Sequence, residues 1–171
     1  MEAKQTRMSE SAEQLMLSQE LLAVMRGAAA IAQNLAEPFI TTRALLLAIL
    51  DDPQIGTGLA DVLPREKIAA LPIADARVGA TRLPEPQLAP GERAAIVRYN
   101  TLAFRIPNAD GVMWLSREAF AAFGEGARRA EGPYLPKHLA LGIAADAIRN
   151  PGVLAALHIS PGSLIDAVEK L

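Results

Sequence analysis

The sequence predicts an all-α protein: two pseudo-twofold-related four-helix repeats sharing one core, with a small β-hairpin inserted between them. Three observations lead there. Of 171 residues, 51% are hydrophobic but only 4% aromatic, and 33 are Ala. That balance suits helices that cross closely over small side chains and argues against an aromatic-rich β protein. Apolar residues recur at helical spacing in segments closed by Pro and Gly. The same order of caps, stripes and breakers then occurs twice along the chain.

Residues 1–13 are polar and are expected to form a flexible tail. From Leu15 to Ala36 the residues Leu22, Met25, Ala29 and Ala32 recur at intervals of three and four, the stripe of an amphipathic helix, which Glu37-Pro38 should end. Thr41 or Thr42 can cap a second helix, Arg43 to Leu50, whose run from Leu45 to Leu50 leaves little polar face and marks it as central. Asp51-Asp52-Pro53 stops it, and short helices follow over 56–62 and 65–71, the latter opened by Pro64. Residues 72–91, with Pro72, Pro84, Pro86 and Pro90, read as a connector. Ile96, Val97, Tyr99, Leu102, Phe104 and Ile106, a turn at Pro107 to Gly111, then Val112 to Trp114 suggest a hairpin laid against the body. Ser116 can cap a helix to Glu131 with Phe120, Phe123, Ala127 and Ala130 inward. Pro136 opens the next, to Arg149; a short helix covers 153–157, and Ser160-Pro161 caps the last, to Leu171.

The duplication fixes the domain organisation. Ser18, Leu22, Met25, Ala29 and Ala32 fall on Ser116, Phe120, Phe123, Ala127 and Ala130 with an offset of 98, the separation of Ser18 from Ser116. Leu45, Leu47 and Leu50 fall on Leu139, Leu141 and Ala144, and Leu59 and Leu63 on Val153 and Leu157, with an offset of 94. One loop shortened by four residues therefore explains every pair. Each unit is too small to bury a core comfortably alone, so the two should share one. The expected layout is a single domain over 14–171: repeat one at 14–71, connector and insertion at 72–115, repeat two at 116–171.

These residues resemble the N-terminal double-repeat domain of Clp-type AAA+ unfoldases and disaggregases over about residues 14–171, apart from the insertion. The family signature, Ile-x-x-Glu-His-Leu-Leu-x-x-Leu-Leu, is similar to Ile40-Thr41-Thr42-Arg43-Ala44-Leu45-Leu46-Leu47-Ala48-Ile49-Leu50 and to Tyr134-Leu135-Pro136-Lys137-His138-Leu139-Ala140-Leu141-Gly142-Ile143-Ala144. In some members the signature Glu receives cationic groups such as phosphorylated arginine. Here Arg43 and Lys137 stand at both Glu positions, so the resemblance implies loss of that mode. Near helix N-termini, which themselves favour anions, the two bases point to a neutral or carboxylate-bearing ligand, or else simply extend into solvent.

Chemistry is sparse. There is no Cys, only two His, and no G-x-x-x-x-G-K-[ST], which removes thiolate catalysis, most zinc sites and an ATPase phosphate cradle. A net charge of -2 gives no nucleic-acid footprint, and neither a signal peptide nor a membrane span is evident, so the expected setting is the cytoplasm without membrane or nucleic-acid partners. His138 reads as a helix-capping or core-edge residue, and His158 as a helix-end residue near the last carbonyls. Asp51-Asp52 reads as a turn, Gly124-Glu125-Gly126 as a close helix contact, and Arg128-Arg129 as a solvated face or a lure for an acidic partner. Trp114 either anchors the hairpin on Phe120 or Phe123 or is an exposed peptide-binding residue.

The expected function is a non-catalytic, monomeric protein-binding module. By the resemblance it recruits substrate peptides, degradation tags or adaptors to a Clp-type AAA+ ATPase attached in cis or bound in trans. A free-standing regulator of the unfoldase or its adaptors is the alternative, and a small hydrolase a remoter one. Candidate peptide-binding residues are Arg43, Lys137, Thr42, Pro136, Trp114 and Tyr134, with no catalytic residue, cofactor or metal.

Overall fold

Residues 16–71 and 102–171 are described by the structure, a computed structural model. The tail at 1–13, the connector at 72–91 and the hairpin residues Ile96, Val97 and Tyr99 lie outside them. Among these described residues, eight helices and one antiparallel hairpin follow in order: α1 Gln19–Asn34, α2 Thr42–Leu50, α3 Gly56–Leu59, α4 Arg65–Ala69, β1 Ala103–Arg105, β2 Val112–Trp114, α5 Arg117–Arg129, α6 Pro136–Arg149, α7 Gly152–Ala156 and α8 Pro161–Glu169. The mostly helical class with a small hairpin is as the composition and periodicity suggest. The short helices are shorter than their apolar patterns, since Ala60 to Val62 form a turn and Ala70 and Leu71 a turn and a bend.

Caps open the equivalent helices in the same way. The Ser18 hydroxyl accepts from the Leu21 N–H at 3.0 Å, and the Ser116 hydroxyl from the Ala119 N–H at 3.1 Å. Helix α1 ends on geometry that the sequence does not advertise. Ala36 takes a left-handed φ of 57°, while Glu37 N–H bonds to the Ala32 carbonyl and Ala36 N–H to that of Gln33. This Schellman closure uses an alanine where glycine is usual, so Pro38 follows the stop rather than causing it. His158 closes α7 identically, at φ 57° with Ile159 N–H on Leu154 and His158 N–H on Ala155. Its backbone, not its imidazole, completes the helix end.

The buried face of α1 also corrects the expected stripe. Leu21, Val24, Met25, Ala28, Ala29 and Ala32 are buried, with Leu22 only half-buried; on α5 the buried set is Ala119, Ala122, Phe123, Glu125 and Gly126. The same offset of 98 pairs Leu21 with Ala119, Val24 with Ala122, Met25 with Phe123 and Ala28 with Gly126. The displacement holds although one member of the stripe moves, because a 100° helical step lets the core face include the neighbour.

Two backbone crossings tie the repeats together. Leu17 bridges Tyr134 and Leu115 bridges Ile40, both in parallel. Ser18 N–H bonds the Tyr134 carbonyl at 3.1 Å, and Ser116 N–H the Ile40 carbonyl at 2.9 Å. Tyr134 N–H bonds Met16 at 2.7 Å, and Ile40 N–H bonds Trp114 at 2.8 Å. Each bond is the image of the other under the two sequence offsets. Each repeat therefore satisfies the backbone entering its first helix with the backbone entering the other repeat's second helix, and the halves are interlocked.

Leu45, Leu46 and Ile49 of α2 and Leu139 and Ala140 of α6 are inaccessible at the centre of one continuous core. Close approach there depends on glycine. A Cβ at Gly142 would strike the Ala122 carbonyl and the Gly126 backbone, and one at Gly126 would strike Tyr134 and the His138 carbonyl. Gly126 thus has the packing role read from Gly124-Glu125-Gly126, whereas Gly124 has open space beside it. The hairpin, with Ala103 opposite Trp114 and Arg105 opposite Val112, lies against this body. From the hairpin, Phe104 reaches Phe123 at 6.1 Å between ring centroids, and Trp114 is half-buried.

Candidate functional site

A cleft of about 470 Å³ opens where the N-terminal turns of α2 and α5 meet the C-terminal half of α6 and the turn into α7. Ala122, Ile143, Val153 and Leu154 give it an apolar floor; Thr41, Thr42, Glu118, Asp146 and Asn150 give it polar edges. Its position follows from the interlocked repeats, because the exchange at Ile40 and Leu115 brings the starts of α2 and α5 side by side.

One wall is a buried ion pair. Arg43 is 5% exposed and Glu37 3%. Arg43 Nε donates to Glu37 Oε1 at 2.6 Å and a second guanidinium nitrogen pairs with the same carboxylate. The third nitrogen reaches the carbonyls of Ala69, at 3.3 Å, and Leu71. The Thr41 hydroxyl donates to the other Glu37 oxygen while accepting from the Ala44 N–H at 3.3 Å, so one side chain both caps α2 and holds the pair. Arg43 is thus a strut that fastens the end of repeat one to α2. Its charge is answered internally by Glu37, so the side chain does not simply extend into solvent.

The pseudo-equivalent turn on α6 is built differently. Lys137 is exposed, and His138 Nδ1 accepts from the Leu135 N–H at 3.0 Å, the helix-capping duty expected of it. Burial, with the Lys137 charge beside it, holds the His138 pKa below the usual imidazole value, in keeping with an acceptor nitrogen that must be unprotonated.

Of the six sequence candidates, only Thr42 and Arg43 line the cleft. Tyr134 is fully buried; its hydroxyl donates to the Phe123 carbonyl at 2.8 Å, its ring lies 4.9 Å from that of Phe123, and burial pushes its phenol pKa up. It is a core residue, with no surface to offer the peptide that the sequence reading expected it to bind. Pro136 is buried as well, and Trp114 lies on the hairpin. The sequence reading missed Glu37, Glu118 and Asp146. A signal for the first existed: an arginine in a helix with almost no polar face must be buried, and a buried guanidinium needs a carboxylate near in space. Glu118 and Asp146 carry no ion pair among the described residues, so the cleft presents carboxylates, whereas the sequence pointed to the bases Arg43 and Lys137.

The remaining motifs resolve into structure. Asp52 Oδ1 accepts from the N–H groups of Gln54 and Ile55 at 2.8 and 3.1 Å, a turn as expected, and Asp51 pairs with Arg65 on the surface. Among the described residues no three His, Asp or Glu side chains gather as a metal site, and no helix is long and apolar enough to cross a membrane.

No protein-family model matches the chain, and no curated protein matches it. Among solved structures it is similar to the N-terminal domain of the caseinolytic protease associated chaperone ClpD from Arabidopsis thaliana, at a TM-score of 0.51 and 13% identity over 90% of this chain and 92% of that one. With residues so divergent and coverage so complete, the likeness is one of architecture: this chain has the fold of a Clp chaperone N-terminal domain.

Proposed function

We propose that residues 14–171 act as one non-catalytic double-repeat module that seats short peptide segments of substrates or adaptors for a Clp-type AAA+ ATPase. The observation that carries the reading is the cleft at the repeat seam. Its volume of about 470 Å³ and its apolar floor suit one or two side chains of an extended peptide, and its rim supplies hydroxyls and carboxylates that can orient a main chain. Fold likeness to the ClpD domain supports the association with a Clp machine. The two carboxylates favour a peptide that brings a basic or neutral polar group beside an apolar one, in place of the carboxylate-bearing member of the two ligand types, neutral or carboxylate, that the sequence suggested.

Ala156 is exposed and lines the cleft, so Ala156→Trp fills it from the surface with little risk to the core. Binding of fluorescein-labelled peptides from an unfolded protein, read by anisotropy, should weaken about tenfold in Ala156→Trp and several-fold in Glu118→Gln. Peptide binding indifferent to both variants would move the site elsewhere. Absence of both peptide binding and association with a Clp-type ATPase would end the reading.

A further inference from the structure

We propose that Arg128, Arg129 and Arg149 form a docking surface for an acidic segment of a partner protein, organised from beneath by the carboxylate of Glu125. Glu125 is 6% exposed and sits on α5 one turn from Arg129. Arg129 donates to its Oε2 at 3.1 Å and to its backbone carbonyl at 2.9 Å. Arg128 approaches Oε1 at 3.1 Å, and Arg149 crosses from α6 to the same oxygen. Burial alone would raise the Glu125 pKa; the hydrogen bonds from Arg129 and Arg149 and the Arg128 charge more than reverse this and hold it below the ordinary glutamate range. The carboxylate is therefore a fixed anion around which three guanidiniums converge.

The stoichiometry is what points outward. Fastening α5 to α6 needs one arginine on this carboxylate, yet three are present, leaving an excess of two positive charges in a chain whose net charge is -2. Like charges brought together cost energy unless an anion answers them. Arg128 and Arg149 have side chains 71% and 64% exposed, and each guanidinium carries five donors of which Glu125 engages few. The forks are thus available to further carboxylates in bidentate geometry. Ile148, the residue before Arg149 on α6, is 66% exposed and adds an exposed aliphatic side chain at this end of the helix. An apolar neighbour adds nothing for a free anion, but a peptide with acidic and aliphatic residues uses both.

This surface lies along α5 from the cleft, since Glu118, Ala122, Glu125 and Arg129 follow one helical face at intervals of four, three and four. It does not depend on the cleft being a peptide site. The test uses the full chain and a fluorescein-labelled peptide of Glu and Leu, with a Gln and Leu peptide as its neutral counterpart, read by anisotropy at low and high salt. The acidic peptide should bind at least about tenfold more tightly than the neutral one, with an affinity that falls as salt rises. Arg128→Gln with Arg149→Gln should remove about tenfold, and Ile148→Ser several-fold, with unchanged helical circular dichroism. Ala156→Trp should leave this binding within about twofold, which separates failure here from failure at the cleft. Equal binding of the two peptides, or full binding by the double variant, would overturn the proposal. So would a surface that takes inorganic phosphate but not the acidic peptide.

Discussion

Helices α2 and α6 hold equivalent central places, yet their first turns solve the same problem with different chemistry. On α2, Thr41 caps the helix, Arg43 is buried, and Glu37 neutralises it while the guanidinium ties down Ala69 and Leu71. On α6 no hydroxyl is available, His138 reaches back to the Leu135 N–H, and Lys137 stays in solvent. A duplicated fold thus keeps its apolar interior and its crossed backbone bonds while the polar helix entrances diverge. The interior is constrained by both halves at once, whereas an entrance answers only to its local partners.

The largest expected break in that comparison is at Glu37. Glu37→Ala leaves an uncompensated guanidinium in the core and should cost about 3–5 kcal/mol in chemical denaturation. Replacing both members with apolar residues of similar size, Glu37→Leu with Arg43→Met, should recover much of the loss. If Glu37→Ala costs under about 1 kcal/mol, the pair is not the strut described.

Next come the centres of the two helices, where the repeats should behave alike. Leu45 and Leu139 are both inaccessible and equivalent by offset. Leu45→Ala and Leu139→Ala should each cost about 2–5 kcal/mol. Loss at only one of them would show that the halves do not share one core. Smaller still are the caps: Ser18→Ala and Ser116→Ala should each cost about 1 kcal/mol, since each removes one acceptor from an otherwise orphaned N–H.

The same contrast explains what could be read from sequence. Pairs such as Leu45 with Leu139, and the two serine caps, were legible because periodicity and a constant offset are local and repeat. The hairpin turn at Pro107 to Gly111 was legible from turn chemistry, and the closeness of Gly126 from its spacing. The cleft was not, because its walls come from residues as far apart as Thr42, Glu118 and Asp146, which only the crossing of the repeats brings together. Arg43 was misread for a related reason. Its pattern position placed it at a helix start, but its burial depends on the end of repeat one lying over it, and Glu37 passed as a mere residue before proline. Tyr134 was misread because the signature marks a place in the repeat without saying which side of the strand-like crossing faces the core.

The smallest expected effect is at Lys137, and it isolates the divergence most cleanly. Arg43 and Lys137 are equivalent by offset, but the first is buried and paired and the second exposed. Lys137→Ala should therefore change stability by no more than about 0.5 kcal/mol, as exposed substitutions do. It should still be felt by its neighbour. Burial is the larger cause of the lowered His138 pKa and the Lys137 charge the smaller, so removing that charge should raise the His138 pKa while leaving it below the ordinary imidazole value. For a base whose folded pKa is depressed, the unfolded chain takes up the proton first as pH falls. The stabilising contribution is therefore intact above the unfolded value near 6.5 and is lost as pH drops from there through the folded value. In Lys137→Ala that loss should be smaller, because the folded and unfolded values lie closer together. A histidine NMR titration with denaturation at neutral and mildly acidic pH reads both. A His138 titration unmoved or lowered by Lys137→Ala, or a stability loss above about 1 kcal/mol at neutral pH, would mean that the second entrance is tied down by its base as the first is.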